Sequence, residues 1–479
     1  MEMVVARADC GASHPVTRYF ETLARVKRSR GEPAELLKLG ERPNAVLGRL
    51  GNSGLDNGYN LLETAFHPVT GGLGGLDRLA ANVWREIEDV QTALAAEDAV
   101  LINASEHPAC SLDPDWYRLV CVPRPIYTEL VGHRGWLHRT GIDAKAQNSP
   151  CTSIPVSLAA RALNVVLALS PAAIAIFANS PLQGGRETGL KENRMTMWDR
   201  MFRHSRFAGD HFLQMLPQRP FEDLGAYFRW MFGNNTTSRA LPAASDQRYK
   251  SAVPLYLEDD PSLERFLAAP EWVAYNGVTG QRKMLRPDGS HFVYSQFAHF
   301  LDARWRYRLR SPLALDELHH MWAQPGGIEA LFDKLGVDGY IEGRAPGAVF
   351  PDAHLQEEAG PAISRSVPLA ASALQLGLLQ NLAQAETLVR DWGWMRLRAL
   401  RAVAVREALD HDAVYALAQD VLAVALEGLE RDERRWLAYA AYCIDTRSTG
   451  ADRMLRRWRD LPQTDTRVRD LTRQLTLSF

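Results

Sequence analysis

Residues 167–200 read LALSPAAIAIFANSPLQGGRETGLKENRMTMWDR. The first half continues an apolar run that begins near Ala159, and the second changes abruptly to polar and turn-forming residues. The run from Ala159 to Ala178 is interrupted by Arg161, Asn164, Ser170 and Pro171. That pattern predicts a helix buried on most sides, kinked where the proline removes a backbone donor, and too interrupted to cross a membrane. In the stretch 177–194, FANSPLQGGRETGLKENR, Asn179 to Pro181 turns the chain and Gly184, Gly185 and Gly189 permit close backbone approach. Arg194 could then meet a phosphate or carboxylate. A plain surface turn is the competing reading, because neither GxxxxGK[ST] nor GxGxxG is present.

Outward from this point the chain divides by pattern. Met3–Ala6 reads as a strand, as does Tyr59–Phe66 behind the Asn-Gly turn signal and before Pro68. Leu76–Ala96 has helical spacing, and Val100–Asn103 reads as a strand. Residues 220–350 mix aromatic-rich helical pieces with expected strands at Phe292–Tyr294 and Gly339–Ile341. Beyond Pro361 the spacing is helical almost throughout. The expectation is an α+β fold, residues 1–360, with a helical region, 361–479, packed on it as one continuous domain.

With 46% hydrophobic and 23% charged residues, the 479-residue chain is in the ordinary globular range. Fifty-five basic against 57 acidic side chains argue against nucleic acid or a membrane surface as partner. Five scattered cysteines without CxxC spacing, and an amino terminus lacking signal-peptide regions, predict a reducing cytoplasm.

Three carboxylates invite chemistry. Glu2 sits on the first strand and Glu63 on an otherwise apolar one; each is either solvated or bound to a metal or substrate. A hard cation needs oxygens from several elements, so one glutamate never suffices. In GYIEGRAPGAVFPDA, residues 339–353, Glu342 and Arg344 are two apart on a strand and share a face. They either form a simple ion pair or hold a cation and a phosphoryl oxygen side by side. No GxSxG and no Cys-His pairing supports a covalent nucleophile. His133, His138, His319 and His320 lack a ligand pattern.

The order FANSP, Gly184, Thr188–Gly189, Arg194 and Trp198 resembles the signature of the plant-type and bacterial type-2 glutamate–cysteine ligase family. EMVVARADCG resembles that family's first strand, LDNGYNLLETAFHP the next metal-ligand strand, and DGYIEGRAPGAVFPDA the late strand facing nucleotide phosphates. TGADRMLRRW echoes its carboxy-terminal helix. The resemblance implies a glutamine-synthetase-like antiparallel β-sheet cup with helices outside, ATP and Mg²⁺ as cofactors, and glutamate and an amine, cysteine first, as substrates. The product would be a γ-glutamyl amide formed through γ-glutamyl phosphate, the first step of glutathione synthesis, in a cytoplasmic monomer or homodimer. Glu2, Glu63 and Glu342 are the implied metal ligands, and Arg194 and Arg344 the implied groups for phosphate or substrate carboxylate. Asn179, Lys145, Gln147 and Asn148 are the implied substrate contacts. Two departures stand out. Val4 follows Glu2 where an E-x-E pair is expected, so a reading with Glu2 second puts the first glutamate before Met1. The segment 149–156 also differs around the acceptor. Both keep a different amine acceptor, or a non-catalytic nucleotide-binding relative, as alternatives; a purely structural helical protein would leave the polar loop without a purpose.

Overall fold

The structure, a computed structural model, describes residues 1–233, 241–243, 252–297 and 299–478. The 220–350 expectation therefore partly concerns residues that lie outside the described ones. The strands, in chain order, are β1 (Glu2–Arg7), β2 (Ala34–Leu39), β3 (Arg42–Gly48), β4 (Gly51–Leu55), β5 (Leu61–Phe66), β6 (Ala99–Ile102), β7 (Cys151–Ser153), β8 (Leu182–Gln183), β9 (Arg186–Glu187), β10 (Leu241–Pro242), β11 (Pro254–Leu257), β12 (Trp272–Asn276), β13 (Arg282–Leu285), β14 (Ala303–Arg308) and β15 (Asp338–Gly343). They form a six-stranded sheet in the order β2-β3-β4-β5-β1-β6, a four-stranded sheet β10-β11-β12-β13, a three-stranded sheet β14-β15-β7, and the hairpin β8-β9. Every strand pairing is antiparallel, which with the many helices makes the fold α+β.

β1 can be central because Met3, Val4, Val5 and Ala6 are buried on both faces, leaving only its ends to polar residues. One face of the six-stranded sheet is covered by the helices Tyr19–Ser29 and Gly75–Ala95. Under them Lys27 is buried between Glu86 and Asp89, and Ser53 and Thr64 donate to Glu86. On the other side, residues 145–153 stitch the two sheets together. Gln147 accepts from the Glu2 N–H at 3.1 Å and forms a bridge to Gly347, and four residues on, β7 pairs with β15.

The buried run folds as the helices Ala159–Ala168 and Ser170–Ile176, which meet at 48° with Pro171 in the first turn of the second. Pro361–Gln380 is the apolar helix that the interrupted-run argument overlooked: its length and composition would suffice to cross a membrane. Most of it is buried here against the helices Asp412–Gly428 and Ala438–Thr446, as a core helix is. One hydrophobic cluster runs from β1 through these helices to Leu477, so residues beyond 361 share the core of the sheets.

Phe292–Tyr294 corrects an expectation. It lies in the helix Gly289–Tyr294, not in a strand, because Asp288 caps it: Asp288 accepts from Ser290 N–H, and the His291 ring accepts from Asp288 N–H.

A candidate carboxylate and arginine cleft

Strand alternation sets the first wall. Glu2 stands opposite Glu63, Glu63 opposite Gly54, and Asp56 N–H continues the ladder to Leu61 O at 3.3 Å, so Asp56 shares their face. The opposite face carries Met3, Leu55 and Leu62 into the core. Burial, then Asp56 and Glu63, push the Glu2 carboxyl up to about 8, while the Met1 amine and the Gln147 N–H, 2.8 Å from Glu2 Oε2, oppose the rise.

The second wall is the three-stranded sheet. β14 alternates Trp305 and Tyr307, buried, with Arg304 and Arg306 on the other face. Opposite Arg304, β15 presents Glu342, and opposite Glu342, β7 presents Cys151. Glu342 Oε1 accepts from Arg304 Nη2 at 2.9 Å and Arg344 Nη1 at 3.0 Å; Oε2 accepts from Arg304 Nε at 2.9 Å and Arg306 Nη1 at 3.4 Å. Burial pushes this carboxyl up, but Arg304, Arg344 and Arg306 outweigh it and hold Glu342 far below the usual carboxylate range. Burial and the neighbouring Arg304 lower Arg344, which is also influenced by Glu342 and by Glu2 across the cleft. The Arg344 guanidinium lies 5.8 Å from the Trp198 ring centroid.

The predicted metal ligands are thus divided. Glu2 and Glu63 face each other, with Asp56 beside them, whereas both Glu342 oxygens are taken by guanidinium groups. Among the described residues no three His, Cys, Asp or Glu side chains are spaced to hold a metal ion. The geometry suits a cation held by Glu2 and Glu63, because Mg²⁺ is commonly bound by one or two carboxylates plus ligand oxygens. It does not suit Glu342 as a third ligand.

Arg194 lies deep behind the first wall. Its Nε donates to Glu192 at 2.8 Å, Nη1 to Gln147 Oε1 at 3.2 Å, and Nη2 to Ala345 O at 2.8 Å. It orients Gln147, which in turn holds Glu2. Asn179 pins the turn: Nδ2 donates to Asn103 Oδ1 and Ala348 O, and its N–H to Glu192. Lys145 is buried on Glu106, whose second oxygen accepts from Asn193. Asn148 donates to Val349 O, and its Oδ1 is buried without a partner. The glycines 184 and 185 are the two-residue turn of the β8-β9 hairpin, with φ of 57° and 69°, the positive values such a turn demands. Glu187 at its end pairs with Arg459.

Sequence reading missed Asp56, Arg304 and Arg306. Asp56 was legible only as part of a turn, LDNGYN. The arginines carry a clear signal in ARWRYR, whose strict alternation puts all the charge on one strand face. A cleft of ≈ 610 Å³ near His354, Glu358, Arg456 and Gln474 contains none of these residues.

Beside the first wall, Tyr117 Oη lies 3.1 Å from Asn57 Oδ1 and 3.1 Å from His138 Nδ1. Burial lowers His138 to about 4, and lowers His107 likewise to about 4. Both are neutral in the fold and charge more readily when it opens. Their contribution is present above the unfolded value near 6.5 and is lost as pH falls toward 4, at about 3 kcal/mol for each histidine by pH 4. Chemical denaturation between pH 7 and 4 should show this loss, and His107→Gln should flatten it.

The fold is α+β, and its two sheets bring an acidic face and a basic face close enough for Arg344 to feel the charge of Glu2. The model of glutamate-cysteine ligase family 2 (GCS2) matches residues 26–291, more than half of the chain, and the chain belongs to that family of ligase-like enzymes. The matched span includes Glu63, Asp56, Arg194 and β7, and leaves Glu2, β14 and β15 outside. A comparison with curated proteins gives no match.

Proposed function

We propose that the protein is an ATP-dependent carboxylate–amine ligase that joins glutamate to an amine through γ-glutamyl phosphate, with cysteine as the acceptor. The observation that carries this reading is the proximity of the Glu2 and Glu63 face to the arginine face, seen in the electrostatic contact of Glu2 with Arg344. Glu2 and Glu63 face each other with Asp56 on the same sheet face, and Arg344, on the arginine face, feels the charge of Glu2. Such a pair of surfaces is complementary to a cation and a phosphoryl group bound side by side.

A carboxylate is a poor acyl donor because oxide is a bad leaving group, and phosphorylation supplies a better one. Phosphoryl transfer needs little covalent help and much positioning. Arg344 is placed to neutralise the transferred group, and Arg304 fixes the Glu342 carboxylate that positions it. Gln147, held by Arg194, keeps Glu2 oriented. Mg²⁺, held by Glu2 and Glu63, would supply charge neutralisation to the nucleotide phosphates. Reaction in the cytoplasm, free of membrane and nucleic acid, belongs to the same reading.

The test is phosphate release with glutamate, cysteine and ATP, with product mass identifying the amide. Glu63→Gln should lower the rate about 10²-fold. Phosphate release at background across glutamate and a broad panel of amines would sink the ligase reading. Turnover with another amine but not with cysteine would keep the ligase and replace the acceptor.

A further inference from the structure

Arg200 closes the stretch 167–200, on the short helix Met197–Phe202. Its Nη1 donates to Gln183 Oε1 at 2.9 Å. The orientation of Gln183 is fixed, because its Nε2 donates to Glu106 Oε1 at 2.6 Å and a carboxylate can only accept. The Glu106 charge is spent on the Lys145 ammonium, 2.7 Å away. Arg200 Nε and Nη2 are buried and have no hydrogen-bond partner among the described residues. These two nitrogens share one edge of the planar guanidinium. The same edge grips a carboxylate with both nitrogens in Arg161 with Glu386, Arg310 with Asp338, Arg401 with Asp302 and Arg459 with Glu187. We propose that Arg200 binds the carboxylate of an α-amino-acid substrate on this edge.

Two physical arguments select a carboxylate. Buried donors left unmade are costly, and a planar pair of oxygens satisfies both nitrogens at once. Arg200 brings a single positive charge, Lys145 being held by Glu106, so a monoanion balances the site and a phosphate dianion does not. Arg200 is half-buried, at the margin between core and surface, where a small ligand can reach it. Trp198 on the same helix lies 5.8 Å from the Arg344 guanidinium. Lys145, joined to Arg200 through Glu106 and Gln183, is two residues from the Gln147 that holds Glu2. The edge therefore lies beside both sheet faces while belonging to neither. That the ligand is an amino-acid substrate rests on the ligase reading; the partnerless edge does not.

Titration calorimetry of the full chain, with Mg²⁺ and a non-hydrolysable ATP analogue present, tests it on two ligand pairs. Glutamate is compared with 4-aminobutanoate, and cysteine with cysteamine, the second of each pair lacking the α-carboxylate. The parent should bind the α-carboxylate form of at least one pair about tenfold more tightly than its partner, as a charged hydrogen-bonding fork implies. Arg200→Gln should erase that preference and Arg200→Lys, a charge without the fork, should keep part of it. Both variants should melt at the parent's temperature, since Arg200 gives the fold one hydrogen bond, to Gln183. A preference erased in the glutamate pair assigns the edge to the acyl donor, and one erased in the cysteine pair assigns it to the acceptor. Equal binding within both pairs by the parent, no binding of any of the four, or a preference that Arg200→Gln retains in full overturns the proposal. None of these results touches amine-dependent phosphate release, which decides the ligase reading separately.

Discussion

A Glu342→Gln chain is expected to lose about 3–5 kcal/mol of stability, because removing one partner of a buried ionic cluster leaves the others uncompensated. Here the others are Arg304, Arg306 and Arg344, gathered within hydrogen-bonding distance of the two oxygens that glutamine cannot replace in charge. Urea unfolding measures the loss. Activity should fall with the arginine geometry even where the fold survives. A stability within 1 kcal/mol of the parent at low salt would mean that solvent screens these charges and that the wall is not a built cluster.

Much of the fold could be read from the sequence where one signal dominated. The broken helix at 159–176 was legible because Pro171 sits in a long apolar run. β1, β5 and β6 were legible because their apolar runs are short and bounded. The strands β2 to β4 were not: Leu36, Leu37 and Leu39 ride an edge strand with a register shift between Leu37 and Lys38, so alternation is blurred. Phe292 to Tyr294 looked like a strand by composition, but a capping box four residues upstream decided for helix. At the site, same-face logic correctly paired Glu342 with Arg344, since it depends only on strand period. Which other residues surround Glu342 depends on the partner strand β14, 34 residues away at its nearest, and no local pattern announces that pairing. The opening glycine loop illustrates the same limit. Its glycines serve a hairpin turn, and the residue that matters beyond it, Arg194, turns inward because Glu192 and Gln147 lie there.

Arg194→Gln should therefore act as a positioning defect with a large stability cost, about 3–5 kcal/mol, and not as the loss of a ligand contact. Glu192 is fully buried; burial raises its carboxyl, and Arg194 is the first charge that opposes the rise. Without Arg194 the Glu192 carboxylate loses its counter-charge while still holding the Asn179 N–H at 2.7 Å. Its folded-state affinity for a proton then rises further above the unfolded value. Sign follows from linkage: the folded state binds more protons, so the variant's deficit is small below the unfolded value near 4.3 and grows as pH rises. Gln147 loses the donor at 3.2 Å, and its hold on Glu2 loosens with it. The double variant Glu192→Gln with Arg194→Gln removes both charges and should recover much of the lost stability, giving a coupling energy in a double-mutant cycle of up to about 3 kcal/mol. It should not recover turnover, since the Gln147 side chain still lacks its guanidinium partner. Additive losses in stability would show that the Glu192 and Arg194 side chains do not depend on each other, and would remove the structural route from the turn to Glu2.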